Sequence, residues 1–284
     1  MATPFTNQAT LSYNGLSVLS NIASGELVQV LTAAKNAAQS TYVSNDTVTY
    51  TVSLINSGTT NLTGLSITDD LGGYTFGTDT VYPLRFRPGT QLYYVNGVLQ
   101  PAPAVTAGPP LVFTGINIPA GGNAMLVYEA DVTNYAPLGA TDSITNTVTV
   151  TGNDLSTPIT AQETVAADTE PVLEIAKSMS PTTVTENGTL TYTFVISNLG
   201  NTAADAGAGV TVSDTFAPVL NNISVSLNGA PLPAGSYTAN AANGAFSTTP
   251  GVITVPPASY AQDPTTGAYS ITPGTATLTV SGTV

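Results

Sequence analysis

The stretch FTNQATLS (residues 5–12) alternates apolar-side and polar-side residues with the period of two that is typical of a half-buried β-strand. Its apolar side carries Phe5, Asn7, Ala9 and Leu11. A copy, ITNTVTVT (144–151), keeps the Thr-Asn pair in the same alternation and places Asn146 on the apolar side. The copy ends a long series of strand-like segments, whereas residues 5–12 precede such a series. The first copy therefore lies ahead of the domain whose last strand it resembles.

Composition favours an all-β protein and excludes several functions. Short alternating runs separated by turn residues are typical of β-sandwiches. The chain has 17 acidic residues, four Lys and Arg, and no His, with a formal net charge of -13. This charge argues against nucleic acid or an anionic membrane surface as a partner. No catalytic triad, phosphate loop or metal cluster is present, so we expect no cofactor, no metal site and no enzymatic activity.

The chain carries no cysteine, which excludes disulfides and fits either a cytoplasm or a bacterial exterior. No apolar run is long enough to span a bilayer. The N-terminus lacks the basic and apolar regions of a secretory signal. We therefore expect unconventional export, synthesis at the site of use, or replacement of a native leader.

An internal repeat predicts two tandem sandwiches. VLTAAK (30–35) matches VLEIAK (172–177), and DTVTYTV (46–52) matches GTLTYTF (188–194) at the same spacing. LSITD (65–69) then matches VTVSD (210–214). The predicted organisation is an N-terminal strand and linker over 1–26, a first domain over 27–151, a linker over 152–171 and a second domain over 172–284.

The second domain is predicted to lack its closing strand, because the chain ends where the counterpart of residues 144–151 would begin. Such a sandwich exposes apolar core and a row of unpaired backbone groups. Residues 5–12 of another copy can supply the strand, as in donor-strand complementation. Alternatively, they fold back onto their own second domain or pair at an edge of the first. Donation between copies is a heterologous contact, which generates a head-to-tail filament.

The two lysines of the chain occupy equivalent repeat positions, and their strand parity predicts that both point into a core. By the same parity an aspartate lies on the apolar face of an equivalent strand in each repeat, and an asparagine lies on the apolar face of residues 144–151 and of their N-terminal copy. A neutral amine beside a carboxyl and an amide can form a Lys–Asn isopeptide bond. A buried Lys–Asp ion pair with Asn as its hydrogen-bond partner, or a lysine reaching to solvent, are the alternatives. The residues concerned are Lys35, Asp69 and Asn146, and Lys177, Asp214 and Asn7.

Both repeats resemble the conserved-repeat, Ig-like domains of Gram-positive bacterial surface proteins. The resemblance lies in the AK…TVTYT…NxG pattern of residues 35–58, its counterpart in 177–200, and ITNTVTVTG (144–152). It implies two Ig-like sandwiches with Lys on the first strand, Asn or Asp on the last and an acid between. It thus implies a Lys35–Asn146 bond within the first domain, promoted by Asp69. The second domain offers Lys177 and Asp214 but no asparagine of its own, so Asn7 of another subunit is the predicted partner.

Glu129 is a second candidate for the promoting acid of the first domain. Its counterpart in the repeat is Ser281, so it cannot serve both sites. The predicted function is a structural subunit of an extracellular fibre on a bacterial cell or spore surface, whose partners are copies of itself. The alternative is a monomeric adhesin or stalk that binds a carbohydrate or protein receptor, which an exposed aromatic platform at Tyr93 and Tyr94 would favour.

Overall fold

The computed structural model of the chain describes residues 2–284, which form an all-β protein with one short 3₁₀ helix. They divide into two compact units. The first runs to Thr133 and includes Ile144–Val165, and the second comprises Asn134–Ser143 and Ala166–Val284. No helix in this described part of the chain is long and apolar enough to cross a membrane.

An antiparallel hairpin precedes the first sandwich. Its strands are β1 (Ala2–Asn7), β2 (Thr10–Tyr13), β3 (Leu16–Leu19) and β4 (Ala23–Val28), with β1 paired to β4 and β2 to β3. Asn14 and Gly15, at φ 43° and 79°, form the two-residue turn between β2 and β3. This is the left-handed geometry that such hairpin turns require.

The hairpin corrects two expectations from the sequence. Residues 5–12 form two strands, because the pairing shifts by one residue between Asn7↔Ala23 and Thr10↔Leu19. An extra residue in the second arm accounts for that shift, as in a β-bulge. Residues 13–26, predicted as a linker, contain the turn, β3 and most of β4.

Two facing sheets build the first sandwich. One sheet has the order β13-β12-β16-β7-β5, with β11 also paired to β16, and the other has the order β14-β15-β8-β17-β18-β6. The alternation of buried and exposed residues along β7 and β16 supplies much of the core. The strands are β5 (Leu31–Ala37), β6 (Thr41–Tyr42), β7 (Thr47–Asn56), β8 (Leu62–Asp69), β9 (Tyr74–Phe76), β10 (Asp79–Val81), β11 (Leu84–Phe86), β12 (Leu92–Val95), β13 (Val98–Gln100), β14 (Ala104–Thr106), β15 (Leu111–Ile118), β16 (Asn123–Val132), β17 (Ser143–Thr151) and β18 (Ile159–Ala167).

Strand β18 corrects a further expectation, because it lies inside residues 152–171, which the sequence predicted as a linker. It joins the second sheet between β17 and β6. Its residues Ile159, Val165 and Ala167 are buried. Polar residues dominate the segment and hide its alternation, so composition alone indicated a linker.

The second sandwich has a five-stranded sheet of order β19-β20-β28-β22-β23 and a three-stranded sheet of order β21-β25-β24. A separate hairpin pairs β26 with β27. The elements are β19 (Leu173–Ser180), β20 (Thr189–Asn198), the 3₁₀ helix (Ala206–Ala208), β21 (Ser213–Thr215), β22 (Asn221–Leu227), β23 (Ala230–Pro231), β24 (Tyr237–Ala239), β25 (Ala245–Thr248), β26 (Ser259–Gln262), β27 (Tyr269–Thr272) and β28 (Gly274–Thr283).

The two sandwiches share a strand order but differ in completeness. The sheet β19-β20-β28-β22-β23 repeats the order of β5-β7-β16-β12-β13, and β21-β25-β24 repeats β8-β15-β14. Counterparts of β17, β18 and β6 are missing from this second sheet within residues 2–284. Strand β21 therefore has an open edge where β8 pairs with β17 in the first sandwich.

Candidate cross-linking sites in the two sandwiches

The first sandwich buries Lys35 against Asp69. Lys35 lies on the core side of β5, in line with Leu31, and Asp69 ends β8. The Lys35 amine and the nearer Asp69 carboxylate oxygen are 2.7 Å apart, and neither side chain is exposed. The expectation that Lys35 points into the core is confirmed.

Two tyrosines complete the surroundings of this pair. The Tyr128 hydroxyl donates a hydrogen bond to the Asp69 oxygen that also contacts Lys35. The backbone N–H of Leu71 donates to the other carboxylate oxygen at 2.8 Å. The Lys35 amine lies 4.7 Å from the centre of the Tyr50 ring. These hydrogen bonds hold the Asp69 carboxylate in one orientation, and the Tyr50 ring lies beside the Lys35 amine.

Asn146 is fully buried on β17, and no described residue forms a hydrogen bond with its side-chain oxygen or nitrogen. Strand pairing sets Val148 opposite Asp69, so Asn146 lies two residues farther along the same face of β17. Its amide lies near the hydroxyls of Tyr50 and Tyr128 and partly offsets the rise in their pKa values. Asn146 therefore has polar neighbours in the core but no direct hydrogen bond among the described residues, so its burial calls for a functional explanation.

Burial controls the protonation of the cluster. Desolvation lowers the pKa of the Lys35 amine, and the charge and hydrogen bond of Asp69 oppose that shift in part. Desolvation and then the charge of Asp69 raise the pKa of both Tyr50 and Tyr128. The lowered lysine pKa favours the neutral amine, which is the nucleophilic form.

Glu129, the other candidate acid, points away from this cluster. Its carboxylate accepts a hydrogen bond from Arg87 at 3.3 Å, and the Arg87 and Glu129 side chains are 53% and 37% exposed. The geometry favours Asp69 as the acid beside Lys35. Within residues 2–284, no cluster of three or more acidic side chains could hold a metal ion.

The second sandwich contains an equivalent lysine–acid pair that is partly exposed to solvent. The Lys177 amine is hydrogen-bonded to the Asp214 carboxylate and lies 4.6 Å from the centre of the Tyr192 ring. The rings of Phe194 and Phe216 are also nearby, at 5.6 and 5.8 Å. The Lys177 side chain is 42% exposed, so the expectation that it is buried in a core is wrong for the single chain.

The exposure extends along the whole core-facing side of β19. Leu173, Ile175 and Met179 share that side with Lys177 and are 38%, 58% and 48% exposed. Their exposure follows from the missing counterparts of β17, β18 and β6, since in the first sandwich the matching residue Leu31 is buried. We call this exposed strip of β19, together with the open edge of β21, the acceptor groove.

The two sites also differ at the position of Tyr128, whose hydroxyl has no counterpart in the second sandwich. Tyr128 lies opposite Tyr50 in the first sandwich, whereas Val280 lies opposite Tyr192 in the second. Val280 cannot donate a hydrogen bond to Asp214. Among the described residues, the Lys177 cluster of a single chain contains no asparagine. Its predicted partner Asn7 is an exposed residue of β1 and is paired across the hairpin with Ala23.

Sequence reasoning missed two features of these sites. Tyr128 was not recognised as a partner of Asp69, although its alternation with Leu126 and Ala130 places it on the core side. The Asn14-Gly15 dipeptide, flanked by apolar residues, is a strong hairpin signal and could have identified the second arm. The exposed aromatic platform at Tyr93 and Tyr94 that would favour the adhesin alternative is not seen, since Tyr93 is 5% exposed and its hydroxyl donates a hydrogen bond to the backbone carbonyl of Asn117.

No protein-family model and no curated protein sequence matches the chain. Among solved structures it is similar to the pilus backbone protein RrgB of Streptococcus pneumoniae, at 14% identity and a TM-score of 0.36, covering 86% of this chain and 55% of that one. The chain thus spans about half the length of that protein. It is also similar to the major pilin subunit BcpA of Bacillus cereus, at 12% identity and a TM-score of 0.36, covering 96% and 73% of the two chains.

A collagen-binding domain of a Staphylococcus aureus adhesin is similar at 11% identity and a TM-score of 0.31, covering 49% of this chain and 98% of that domain. Similarities at this level do not establish function. The geometry of the two lysine clusters carries the functional proposal instead.

Proposed function

We propose that this chain is the structural subunit of an extracellular fibre on a bacterial cell or spore surface. Subunits join head to tail when the N-terminal segment of one enters the acceptor groove of the next. The observation that carries the proposal is that the same Lys–Asp pair is buried in the first sandwich and exposed in the second, where residues 2–284 supply no counterparts of β17, β18 and β6. An uncovered apolar groove with an open strand edge needs a partner.

The similarity between residues 5–12 and 144–151 identifies the donated strand. It places Phe5, Asn7, Ala9 and Leu11 at the positions of Ile144, Asn146, Val148 and Val150. All four of the latter are buried in the first sandwich. With Ala9 opposite Asp214, as Val148 lies opposite Asp69, Asn7 would take the position beside Asp214 that Asn146 takes beside Asp69.

Isopeptide bonds would then lock the fibre within and between subunits. The neutral lysine Nζ attacks the side-chain carbonyl carbon of asparagine, the new C–N bond forms, and the bond to the amide nitrogen breaks. The lysine proton passes through the aspartate to the departing nitrogen, which leaves as ammonia. Asp69 would serve the Lys35–Asn146 bond within one subunit. Asp214 would serve the bond between Lys177 and Asn7 of the next subunit.

Mass analysis of protein boiled in SDS tests the proposal. The unaltered chain should give a ladder of boiling-resistant multimers, with one ammonia lost for each bond. Asn7→Ala and Lys177→Ala should each abolish the ladder and keep the ammonia loss of the first sandwich. A monomer of unmodified mass in the unaltered chain would overturn the cross-links, and unchanged ladders in both variants would overturn the assigned joint.

A further inference from the structure

The acceptor groove lacks more than one strand. In the first sandwich, β17 pairs with β8, β18 follows β17, and β6 forms the edge. The short connection from β5 to β6 joins the edges of the two sheets, so β18 and β6, rather than β17, lie toward the edge that carries β5. A single strand added to β21 would therefore leave much of the exposed side of β19 uncovered.

The N-terminal hairpin has two strands and one apolar face. Cross-strand partners in an antiparallel pair share a face. By this pairing Leu11 and Val18 lie together on the face that carries Phe5 and Asn7, and Leu27 lies on the same face. Phe5, Leu11, Val18 and Leu27 are each at least half exposed in the single chain. An isolated two-stranded hairpin is marginally stable, so this face needs a surface to cover it.

Near Phe5 the register of the hairpin can be compared with that of the pair β17–β18. Hydrogen bonds between Thr145 and Thr164, and from Ala167 to Asp142, set Ile144 opposite Val165. In the hairpin the equivalent pair is Phe5 and Gly25, in which the Phe5 ring lies over the glycine and an added Cβ would approach it to 2.6 Å. A large–small pair replaces two medium residues, which conserves volume.

We infer that the donated element is the whole hairpin, with β1 and β2 in the place of β17 and with β3 and β4 in the place of β18. This inference rests on the proposed head-to-tail fibre. The free edge of the first arm pairs with β21, and the hairpin keeps its own hydrogen bonds. The second arm brings Val18 and Leu27 against the exposed side of β19, which a single strand would not reach.

Adjacent residues of the second arm provide the test. Val18 lies on the apolar face and Leu19, opposite Thr10, lies on the other face, although both are exposed in the single chain. In full-length protein, Val18→Asp should lower the yield of boiling-resistant multimers at least about tenfold, because its carboxylate would be buried in the groove. Leu19→Asp adds the same charge to the outer face and should leave the yield unchanged.

The outcomes separate this inference from the fibre itself. Multimers from both variants at the unaltered yield would overturn hairpin donation and leave single-strand donation standing. Loss of multimers in both variants would also overturn it, since the two faces would then be equivalent. An unaltered chain that forms no multimers would overturn the fibre and the hairpin together. Thermal unfolding of each variant checks that both sandwiches remain folded.

Discussion

Lys35 and Asp69 form a buried pair that the proposed isopeptide reaction would use. Removing two charges from water costs several kcal/mol per ion, and mutual attraction repays this only with good additional hydrogen bonds. Asp69 has these bonds from Tyr128 and Leu71, whereas Asn146 has none among the described residues. The burial of an asparagine in the same core as a lysine of lowered pKa is explained if the two condense.

Asp69→Asn tests the role of the acid in the first sandwich. The substitution keeps the shape of the side chain but removes the counter-charge of Lys35 and the proton carrier. We expect the first-sandwich ammonia loss to disappear and the free energy of unfolding to fall by about 3–5 kcal/mol. Mass analysis and denaturant unfolding measure the two effects. Asp131→Asn, which alters a partly exposed acid paired with Arg85, should change stability by less than about 1 kcal/mol.

The buried tyrosines predict a loss of stability in alkali. Tyr50 and Tyr128 have raised pKa values in the folded chain, so they keep their protons above pH 10 while unfolded tyrosines release theirs. Their contribution is complete below pH 10 and is lost as pH rises toward the folded pKa values. Each should lower stability by about 1.4 kcal/mol per pH unit in that range.

Tyr128→Phe supplies the control for this pH dependence. Between pH 10.5 and 12, a range that lies above the unperturbed tyrosine pKa of about 10, it should reduce the slope by about 1.4 kcal/mol per pH unit. Denaturant unfolding at several pH values measures the slope. An unchanged slope in Tyr128→Phe would contradict the assignment of the alkaline loss to this cluster.

Strand parity identified the residues of the first site but could not predict their exposure in the second. Lys35 and Lys177 have the same neighbours in sequence, and both were expected in a core. The burial of a residue depends on the strand that covers it, and for Lys177 that strand is not in the second sheet of the same chain. Parity fixes the side to which a residue points, and only the tertiary pairing decides what lies there.

At the scale of elements, the strands with strong apolar alternation were predictable and the polar ones were not. Strands β7, β16 and β20 follow the period of two along their full length. Strand β18 alternates too, but its exposed positions are Thr, Gln and Ala, so its composition resembles that of a linker. The second arm of the hairpin was missed for a related reason. The extra residue between β3 and β4 interrupts the period of two along that arm.

Val165→Ala tests whether β18 is an integral part of the first sandwich. Val165 is fully buried, so its truncation should lower the free energy of unfolding by about 1–3 kcal/mol. Gln162→Ala, at an exposed position of the same strand, should leave stability within about 0.5 kcal/mol of the unaltered chain. Denaturant unfolding compares the two. Equal stability of both variants would mean that β18 does not hold the sandwich together.

At the scale of the whole molecule, the proposed fibre joins two different surfaces. The N-terminal hairpin, which precedes the first sandwich in the chain, would be the donor, and the groove in the second sandwich would be the acceptor. An interface between unlike surfaces does not close into a dimer, so each added subunit leaves a new free end. Two variants that each disable one end separate these roles.

A mixture of Asn7→Ala and Lys177→Ala tests the direction of assembly. The first variant can accept a covalent joint and the second can donate one, so neither should form boiling-resistant multimers alone. Mixed together, they should form covalent dimers and no longer species. Size analysis after boiling in SDS reads the result. Longer ladders from the mixture, or dimers from either variant alone, would contradict a head-to-tail joint.

The scarcity of cations has a consequence for digestion by trypsin, which cuts after free lysine and arginine. In a fibre with the proposed isopeptide bonds formed, the amines of Lys35 and Lys177 have become amides, which trypsin does not recognise. Arg87 precedes Pro88, a bond that trypsin cuts poorly, which leaves the bond after Arg85. That bond lies within β11, where Arg85 is paired with Asp131 of β16. The cross-linked fibre would therefore offer this protease one susceptible peptide bond per subunit, and that bond is held in a sheet.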